Sequence, residues 1–231
     1  MFEYDSYILG NTPHKMVIFL HGYNGTVATH QYAIDWLKEA LKDAVLIAPY
    51  APEISDKNPE RRQWFGMLQY DPENKRANPQ TTVEDIFAIY NNAGTKIDTC
   101  AQQINLFIDN MQQKYHIDNA KTYLCGFSQG AMLSLYTALT RRADLGGAFI
   151  LSGLMAGAHL LQTKITAHPP LYLFHGQDDL RVQYKTLPTT IDLLKKSNIL
   201  PIVQTYAGLE HRMNQDEMQK IADIINLGEN K

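Results

Sequence analysis

The residues best suited to chemistry form the pentapeptide G-F-S-Q-G at positions 126–130, which has the pattern G-x-S-x-G. An apolar, β-prone run precedes it and a helix-prone run follows it. This order of strand, turn and helix predicts a nucleophile elbow, in which Ser128 lies on a sharp turn with its hydroxyl exposed. The serine would also begin a helix, where free backbone N–H groups stabilise developing negative charge.

A serine hydroxyl needs a base, and the base needs an orienting acid, before it attacks a carbonyl at neutral pH. In hydrolases built on this elbow, the chain order is serine, acid and then histidine. Downstream, an apolar strand-like run leads into a loop with the carboxylates Asp178 and Asp179, and a later β-prone run leads to His211. Both loops follow the C-terminal ends of predicted strands, where sites assemble in open α/β sheets. The pattern therefore predicts a catalytic triad.

Such a triad would catalyse acyl transfer through an acyl-enzyme that water then hydrolyses. The oxyanion formed at the carbonyl needs at least two fixed hydrogen-bond donors. We expect one to be the backbone N–H of Gln129, which directly follows the nucleophile. The other is expected from the loop after the first core strand, at the N–H of Tyr23.

At these residues the sequence resembles the phospholipase/carboxylesterase family of α/β-hydrolases, which includes acyl-protein thioesterases. The matching elements, which extend over nearly the whole chain, are H-G at 21–22, W-F at 64–65, G-F-S-Q-G at 126–130, H-G-x-x-D-x-x-V at 175–182 and G-x-x-H at 208–211. The resemblance implies that Ser128 is the nucleophile, His211 the base and Asp179 the acid. Asp178 remains the rival acid, with a turn-capping role as its other interpretation.

The chain departs from the family pattern at two places. Family members often carry Leu-Gly-Asp after the His-Gly pair, whereas this chain has Tyr23, Asn24 and Gly25. They often carry Asp after the Trp-Phe pair, whereas this chain has Gly66. The first change keeps a backbone donor but alters the pocket, and the second removes a carboxylate near the entrance. Both changes concern the substrate class and leave the reaction unchanged.

A long segment from about residue 50 to 80 is rich in Pro, Asn and charged residues and shows little periodicity. Loops of this length inside a compact domain are usually functional or mobile, and we interpret this one as an excursion over the C-terminal edge of the sheet, near the active site. We expect Trp64 and Phe65 to bind substrate as part of an acyl pocket; the alternative is that they pin the loop to the sheet. Leu154 and Met155, just past a predicted strand, are further candidates for the apolar wall, against plain core packing.

Length and composition agree with a single α/β domain over residues 1–231, of which 45% are apolar. A net charge of −3 argues against nucleic-acid binding through a basic surface. No apolar run near the start is long enough for stable membrane insertion, and the N-terminus has no basic region typical of a signal peptide. With only two cysteines, these features favour a cytoplasmic protein. No histidine spacing indicates a metal site, so we expect neither metal nor cofactor.

Strand-like runs alternate with helical patterns, which predicts a mostly parallel central sheet with helices on both faces, as in the α/β-hydrolase fold. The clearest helix has apolar residues at three- and four-residue steps from Ile97 to Tyr115. The last helix is predicted to begin at Asn214 with a capping box to Glu217, and to end at Gly228.

The sequence therefore predicts a serine carboxylesterase that cleaves short- to medium-chain acyl esters of small molecules or lipids. Acyl-protein thioesterase and lysophospholipase are alternatives within this class, because loop-built pockets choose the substrate. A non-catalytic ligand receptor on the same fold is disfavoured because all members of the triad are present. A peptidase would need an added cap or propeller domain, for which 231 residues leave little room.

Overall fold

A seven-stranded sheet forms the centre of the computed structural model, which describes residues 2–228; the remaining positions of the predicted domain, 1 and 229–231, lie outside the described residues. Its strands are β1 (Tyr4–Leu9), β2 (Lys15–Leu20), β3 (Ala44–Pro49), β6 (Thr122–Phe127), β7 (Gly147–Leu151), β8 (Leu171–Gly176) and β9 (Ile202–Tyr206). Their order across the sheet is β1-β3-β2-β6-β7-β8-β9. β1 pairs with β3 in the antiparallel direction, and the other neighbours are parallel.

Helices cover both faces of this sheet, as predicted. They are α1 (Gln31–Ala40), α2 (Val83–Asn92), α3 (Gly94–Tyr115), α4 (Gln129–Leu139), α5 (Ala158–Leu161), α6 (Leu187–Lys196) and α7 (Gln215–Leu227). Successive side chains of a strand point to opposite faces. In β2, Ile18 belongs to the apolar cluster shared with α2–α6, whereas Val17 and Phe19 belong to the cluster shared with α1 and α7.

Local sequence signals locate most element boundaries within a few residues. The predicted capping box of α7 is present, because Asn214 Oδ1 accepts from the Glu217 N–H at 2.9 Å and Glu217 Oε2 accepts from the Asn214 N–H at 2.8 Å. The excursion holds structure that the sequence pattern does not predict. It contains a hairpin of β4 (Glu53–Ile54) and β5 (Arg62–Gln63) and a single 3-10 turn at Lys75–Ala77. Strands of two residues are too short to show an alternating pattern.

Glycines in the G-x-S-x-G motif allow α4 to pack directly against the strands. A Cβ atom on Gly130 would overlap the carbonyl oxygen of Leu20 in β2, and one on Gly126 would overlap the carbonyl oxygen of Gly130. Both obstacles are backbone atoms, which cannot rotate away as a side chain can. The motif therefore sets the distance between α4 and the sheet and, with it, the position of Ser128.

We expect Gly130→Ala to lower the free energy of unfolding by about 1–3 kcal/mol or more, because the added methyl overpacks a backbone contact. Urea denaturation followed by circular dichroism measures the change. The matched control is Gly147→Ala in β7, where the nearest atoms to an added Cβ lie at an ordinary 3.5 Å. A Gly130→Ala protein as stable as the control would contradict this account of the motif.

Candidate active site

Ser128 occupies a strained turn between β6 and α4. Its φ of 56° and ψ of −116° lie outside the regions that residues with a Cβ normally adopt. The turn is held on both sides, because the Ser128 N–H donates to the Leu151 carbonyl at 2.9 Å and the Ser128 carbonyl accepts from the Met132 N–H at 3.0 Å. The surrounding strands and helix thus over-determine the backbone of this serine, as expected of a nucleophile elbow.

Asp179 lies buried in the loop after β8. Its Oδ1 accepts from the backbone N–H of Arg181 at 2.8 Å and from that of Val182 at 3.0 Å. The neighbouring Asp178 is exposed, and its own N–H donates to the Leu209 carbonyl at 3.1 Å. The loop therefore directs the carboxylate of Asp179, and not that of Asp178, towards the site.

His211 comes from the loop after β9, which crosses very close to the end of β8. A Cβ on Gly176 would overlap the Leu209 carbonyl oxygen, so the crossing depends on a glycine there. The His211 ring packs on Phe127, with 4.7 Å between the ring centroids. Its Nδ1 lies 2.7 Å from Asp179 Oδ2, and its Nε2 lies 3.0 Å from Ser128 Oγ.

These two contacts fix where the imidazole carries its proton. Because the carboxylate of Asp179 only accepts, Nδ1–H of His211 donates to it. The lone pair of Nε2 then faces the Ser128 hydroxyl, which donates. Burial on its own raises the pKa of Asp179, but contacts from His175 and His211 outweigh burial and hold that pKa below its usual value. An ionised acid thus stands behind a histidine oriented to accept the serine proton.

The predicted oxyanion donors flank the nucleophile. Gln129 is the first residue of α4, where the backbone N–H has no partner within the helix. Tyr23 lies in the loop after β2, and this loop comes so close that a Cβ on Gly22 would lie 3.5 Å from the Ser128 Cβ. Tyr23, Gln129 and Ser128 line one cavity.

His21 braces the loop that carries Tyr23. Its Nε2 accepts from the Ala51 N–H at 3.2 Å, so Nδ1 carries the proton and donates to the Gly22 carbonyl at 2.9 Å. Burial, opposed by the bond to Gly22 and reinforced by His30, lowers the pKa of His21 to about 4. A neutral imidazole therefore joins this loop to the start of the excursion.

The excursion is fastened to the sheet next to the triad. The side chain of Gln129 accepts from the Trp64 N–H at 2.9 Å and donates to the Phe65 carbonyl at 2.7 Å. On the opposite side, buried Gln183 donates to the Arg76 carbonyl at 2.8 Å. Because Gln129 and Gln183 each lie close in sequence to a triad member, the excursion forms a fixed wall of the site.

A cavity of about 330 Å³ opens at Ser128. Its lining contains an apolar portion that includes Met67, Tyr90 and Met132. It also contains three basic side chains, those of Lys57, Arg76 and Arg181. The cavity is therefore mixed in character, whereas the sequence led us to expect an apolar acyl pocket.

Trp64, Phe65, Leu154 and Met155 are not among the described residues that line this cavity, so the structure does not support their expected role in substrate binding. Trp64 is 1% exposed, and its indole N–H donates to the His21 carbonyl at 2.7 Å. Trp64 and Phe65 therefore pin the excursion, as the alternative interpretation held. Leu154 and Met155, which follow β7, are buried in the apolar core. The Met155 N–H donates to Thr190 Oγ1 at 3.2 Å.

The three basic residues of the lining were missed by the sequence analysis. Lys57 and Arg76 lie on the excursion, whose sequence has no periodic pattern from which the side chains facing the cavity could be predicted. Arg181 carried a usable signal, since it follows the predicted acid by two residues and shares its loop.

Among residues 2–228, no group of three or more His, Cys, Asp or Glu residues is placed to hold a metal ion. Within the same residues, every helix is too short or too polar to cross a membrane. Cys100 and Cys125 are buried thiols, and burial raises the pKa of each. Neither cysteine is therefore suited to act as a nucleophile.

The family model for phospholipase/carboxylesterase proteins matches residues 9–228. The chain belongs to this family. The resemblance stated from the motifs is therefore confirmed, and the phospholipase/carboxylesterase family is one of ester and thioester hydrolases.

Individual members of the phospholipase/carboxylesterase family and related structures agree with this assignment. Acyl-protein thioesterase 1 of Neurospora crassa is 26% identical over 221 residues, which cover 90% of this chain and 84% of the relative. The crystal structure of esterase PE8 superposes with a TM-score of 0.81 at 22% identity and 98% coverage of both chains. Acyl-protein thioesterase 2 of Zea mays gives a TM-score of 0.73 at 20% identity and 99% coverage of both chains. These structures confirm the predicted α/β-hydrolase fold.

His21 makes stability depend on pH in a predictable direction. The folded protein protonates His21 only near pH 4, whereas the unfolded chain does so near 6.5. The unfolded state therefore binds more protons between these values, and the free energy of unfolding falls as pH drops from 6.5 to 4, by roughly 2–4 kcal/mol for this residue. In His21→Gln, whose amide oxygen can accept from Ala51, this contribution should disappear.

Urea denaturation at several pH values between 7 and 4 measures the effect, with exposed His159→Gln as the control. The control should keep the wild-type pH dependence. Equal slopes in His21→Gln and wild type would show that His21 is not held neutral by the fold.

Proposed function

We propose that this protein is a serine carboxylesterase that cleaves short- to medium-chain acyl esters through an acyl-enzyme. One observation carries the proposal: a continuous hydrogen-bonded relay joins Ser128, His211 and Asp179, with distances of 3.0 and 2.7 Å. Membership of an ester-hydrolase family agrees with it.

In the proposed acylation step, Ser128 Oγ attacks the carbonyl carbon while Nε2 of His211 accepts the hydroxyl proton. Asp179 stabilises the imidazolium that forms and keeps its ring in place. The tetrahedral intermediate then collapses, the carbon–oxygen bond of the ester breaks, and His211 returns the proton to the leaving alcohol. Deacylation repeats these steps with water as the nucleophile.

The proposed oxyanion hole consists of the backbone N–H groups of Gln129 and Tyr23. Losing one such donor typically costs about 3–4 kcal/mol of transition-state stabilisation. Two features support these donors: the Gln129 N–H begins a helix, and the loop of Tyr23 is braced by His21 and by paired bonds between Gly25 and Arg62 at 3.0 and 3.3 Å. Fixed donors of this kind do not need to reorganise during the reaction.

The size of the cavity supports a small acyl group. A volume of about 330 Å³ lies at the low end of the range for small-molecule sites, which is roughly 300–1,000 Å³. Acyl-protein thioesterase activity is the second candidate, favoured by the name of the Neurospora crassa relative. A lysophospholipase would have to leave a long chain outside this cavity. A non-catalytic receptor is disfavoured because it gains nothing from an aligned relay.

Two further parts of the proposal concern the setting of the enzyme. We infer a single catalytic domain over residues 1–231, supported by a family match from 9 to 228 and one central sheet. We also infer a cytoplasmic location, supported by the two buried cysteines that remain thiols.

A fluorophosphonate probe tests the nucleophile directly. Intact protein should acquire one adduct on Ser128, detected by mass spectrometry of the peptide, and Ser128→Ala should acquire none. Circular dichroism confirms that both proteins are folded. Folded wild-type protein that acquires no adduct would favour the receptor interpretation.

The two neighbouring carboxylates should behave very differently when each is changed to the amide. Asp179→Asn presents an N–H to Nδ1 of His211, which forces the wrong tautomer, so kcat for a para-nitrophenyl ester should fall by roughly 10⁴-fold. Asp178→Asn is the matched control and should leave kcat close to the wild-type value. Equal losses in the two variants would remove Asp179 from the relay.

A further inference from the structure

The cavity at Ser128 has an excess of basic side chains. Lys57, Arg76 and Arg181 line it, and no Asp or Glu is among the described residues of its lining. Asp179, the acid of the proposed triad, already accepts hydrogen bonds from His211 and from two backbone N–H groups. The walls around the nucleophile therefore favour negative charge.

Arg76 is the least exposed of the three bases. Its side chain is 10% exposed, and its Nη1 lies 2.6 Å from Asp71 Oδ2. Asp71 also accepts from the backbone N–H of Lys75 and of Arg76, at 2.6 and 3.2 Å. The Arg76 carbonyl is held by Gln183. A largely buried guanidinium that is held by a carboxylate on one side and lines a cavity on the other is suited to bind an oxyanion.

Tyr23 connects the bases to the oxyanion loop. Lys57 Nζ and the guanidinium carbon of Arg76 each lie 5.7 Å from the centroid of its ring. An aromatic face at this distance attracts both cations and keeps them beside the nucleophile. Tyr23 is also the position at which the chain departs from the leucine often present in its family.

The positive charges of the three bases repel one another. The pKa of Lys57, an exposed residue, is lowered, first by partial desolvation at the cavity wall and then by the charges of Arg76 and Arg181, against an opposing effect of Asp71. Asp71 faces Arg76 and does not line the cavity. A negatively charged ligand would relieve this repulsion, since opposite charges stabilise one another most strongly at partly buried sites.

We propose that the ester substrate carries an oxyanion, a carboxylate or a phosphate, close to its scissile bond, and that Arg76 binds it with help from Lys57 and Arg181. The inference rests on the proposed esterase function, because it requires Ser128 to be the nucleophile of the same cavity. The substrate would then meet a short apolar wall next to a cationic wall, in place of the apolar acyl pocket that the sequence predicts.

Matched esters test the charge and its position. The carboxylate lies on the leaving group in para-acetoxybenzoate and on the acyl group in mono-para-nitrophenyl adipate. Their neutral partners are para-acetoxybenzamide and para-nitrophenyl hexanoate. Para-acetoxyphenyl phosphate supplies the phosphate on the leaving group and is also compared with para-acetoxybenzamide. At least one anionic ester should have a kcat/KM about tenfold or more above its neutral partner, as expected for a charge-assisted hydrogen bond. Added salt should reduce this ratio.

Variants assign the preference to residues. Arg76→Lys keeps a positive charge beside Asp71 but loses the planar guanidinium with its paired N–H donors. Lys57→Met and Arg181→Met change exposed side chains, whose loss should not prevent folding. Each should lower the ratio of kcat/KM between anionic and neutral esters, with Arg76→Lys giving the largest change. Arg142→Gln removes one positive charge at an exposed position outside the cavity, as Lys57→Met and Arg181→Met do inside it, and it should leave the ratio unchanged.

The outcomes separate this inference from the proposed function. If Ser128 is labelled and neutral esters are cleaved, but no anionic ester is preferred, only the inference fails. It also fails if the preference exists but none of the three cavity variants changes it. If neither labelling nor cleavage of any ester occurs in folded protein, the proposed function itself fails.

Discussion

The hydrogen bond from His211 to buried Asp179, at 2.7 Å, is the contact on which the arrangement of the site depends. It determines which imidazole nitrogen faces Ser128. Two backbone features make it possible: the N–H groups of Arg181 and Val182 hold the carboxylate, and Gly176 lets the loop of His211 cross the end of β8. The orientation of the His211 imidazole is thus set by backbone geometry outside the three side chains of the relay.

The excursion is part of the site because it is bonded to residues adjacent to the triad. Gln129 follows the nucleophile and holds Trp64 and Phe65 through its side chain, while its backbone N–H remains available. Gln183 lies in the loop of the acid and holds the backbone at Arg76. The segments that position Ser128 and Asp179 therefore also position the basic side chains that line the cavity.

Regular elements were predictable wherever a local pattern was long enough to be read. The stripe that begins at Ile97 identifies α3, and the pair of Asn214 and Glu217 identifies the start of α7. The hairpin within the excursion was not predictable, because its strands have two residues each. The burial of Trp64 away from the cavity at Ser128 was not predictable either, since an aromatic residue on a loop has the same sequence signature whether it faces a pocket or the core.

The sequence by itself determined the family, the sheet and the identity of three residues that can form a relay, because each depends on a short motif and on chain order. Only the tertiary structure decided what surrounds Ser128. Lys57 and Arg76 come from the excursion, whereas Arg181 comes from a loop more than a hundred positions later. Their approach depends on hydrogen bonds of the same range, as between Gln183 and Arg76. Contacts of that range leave no periodic trace in a single chain.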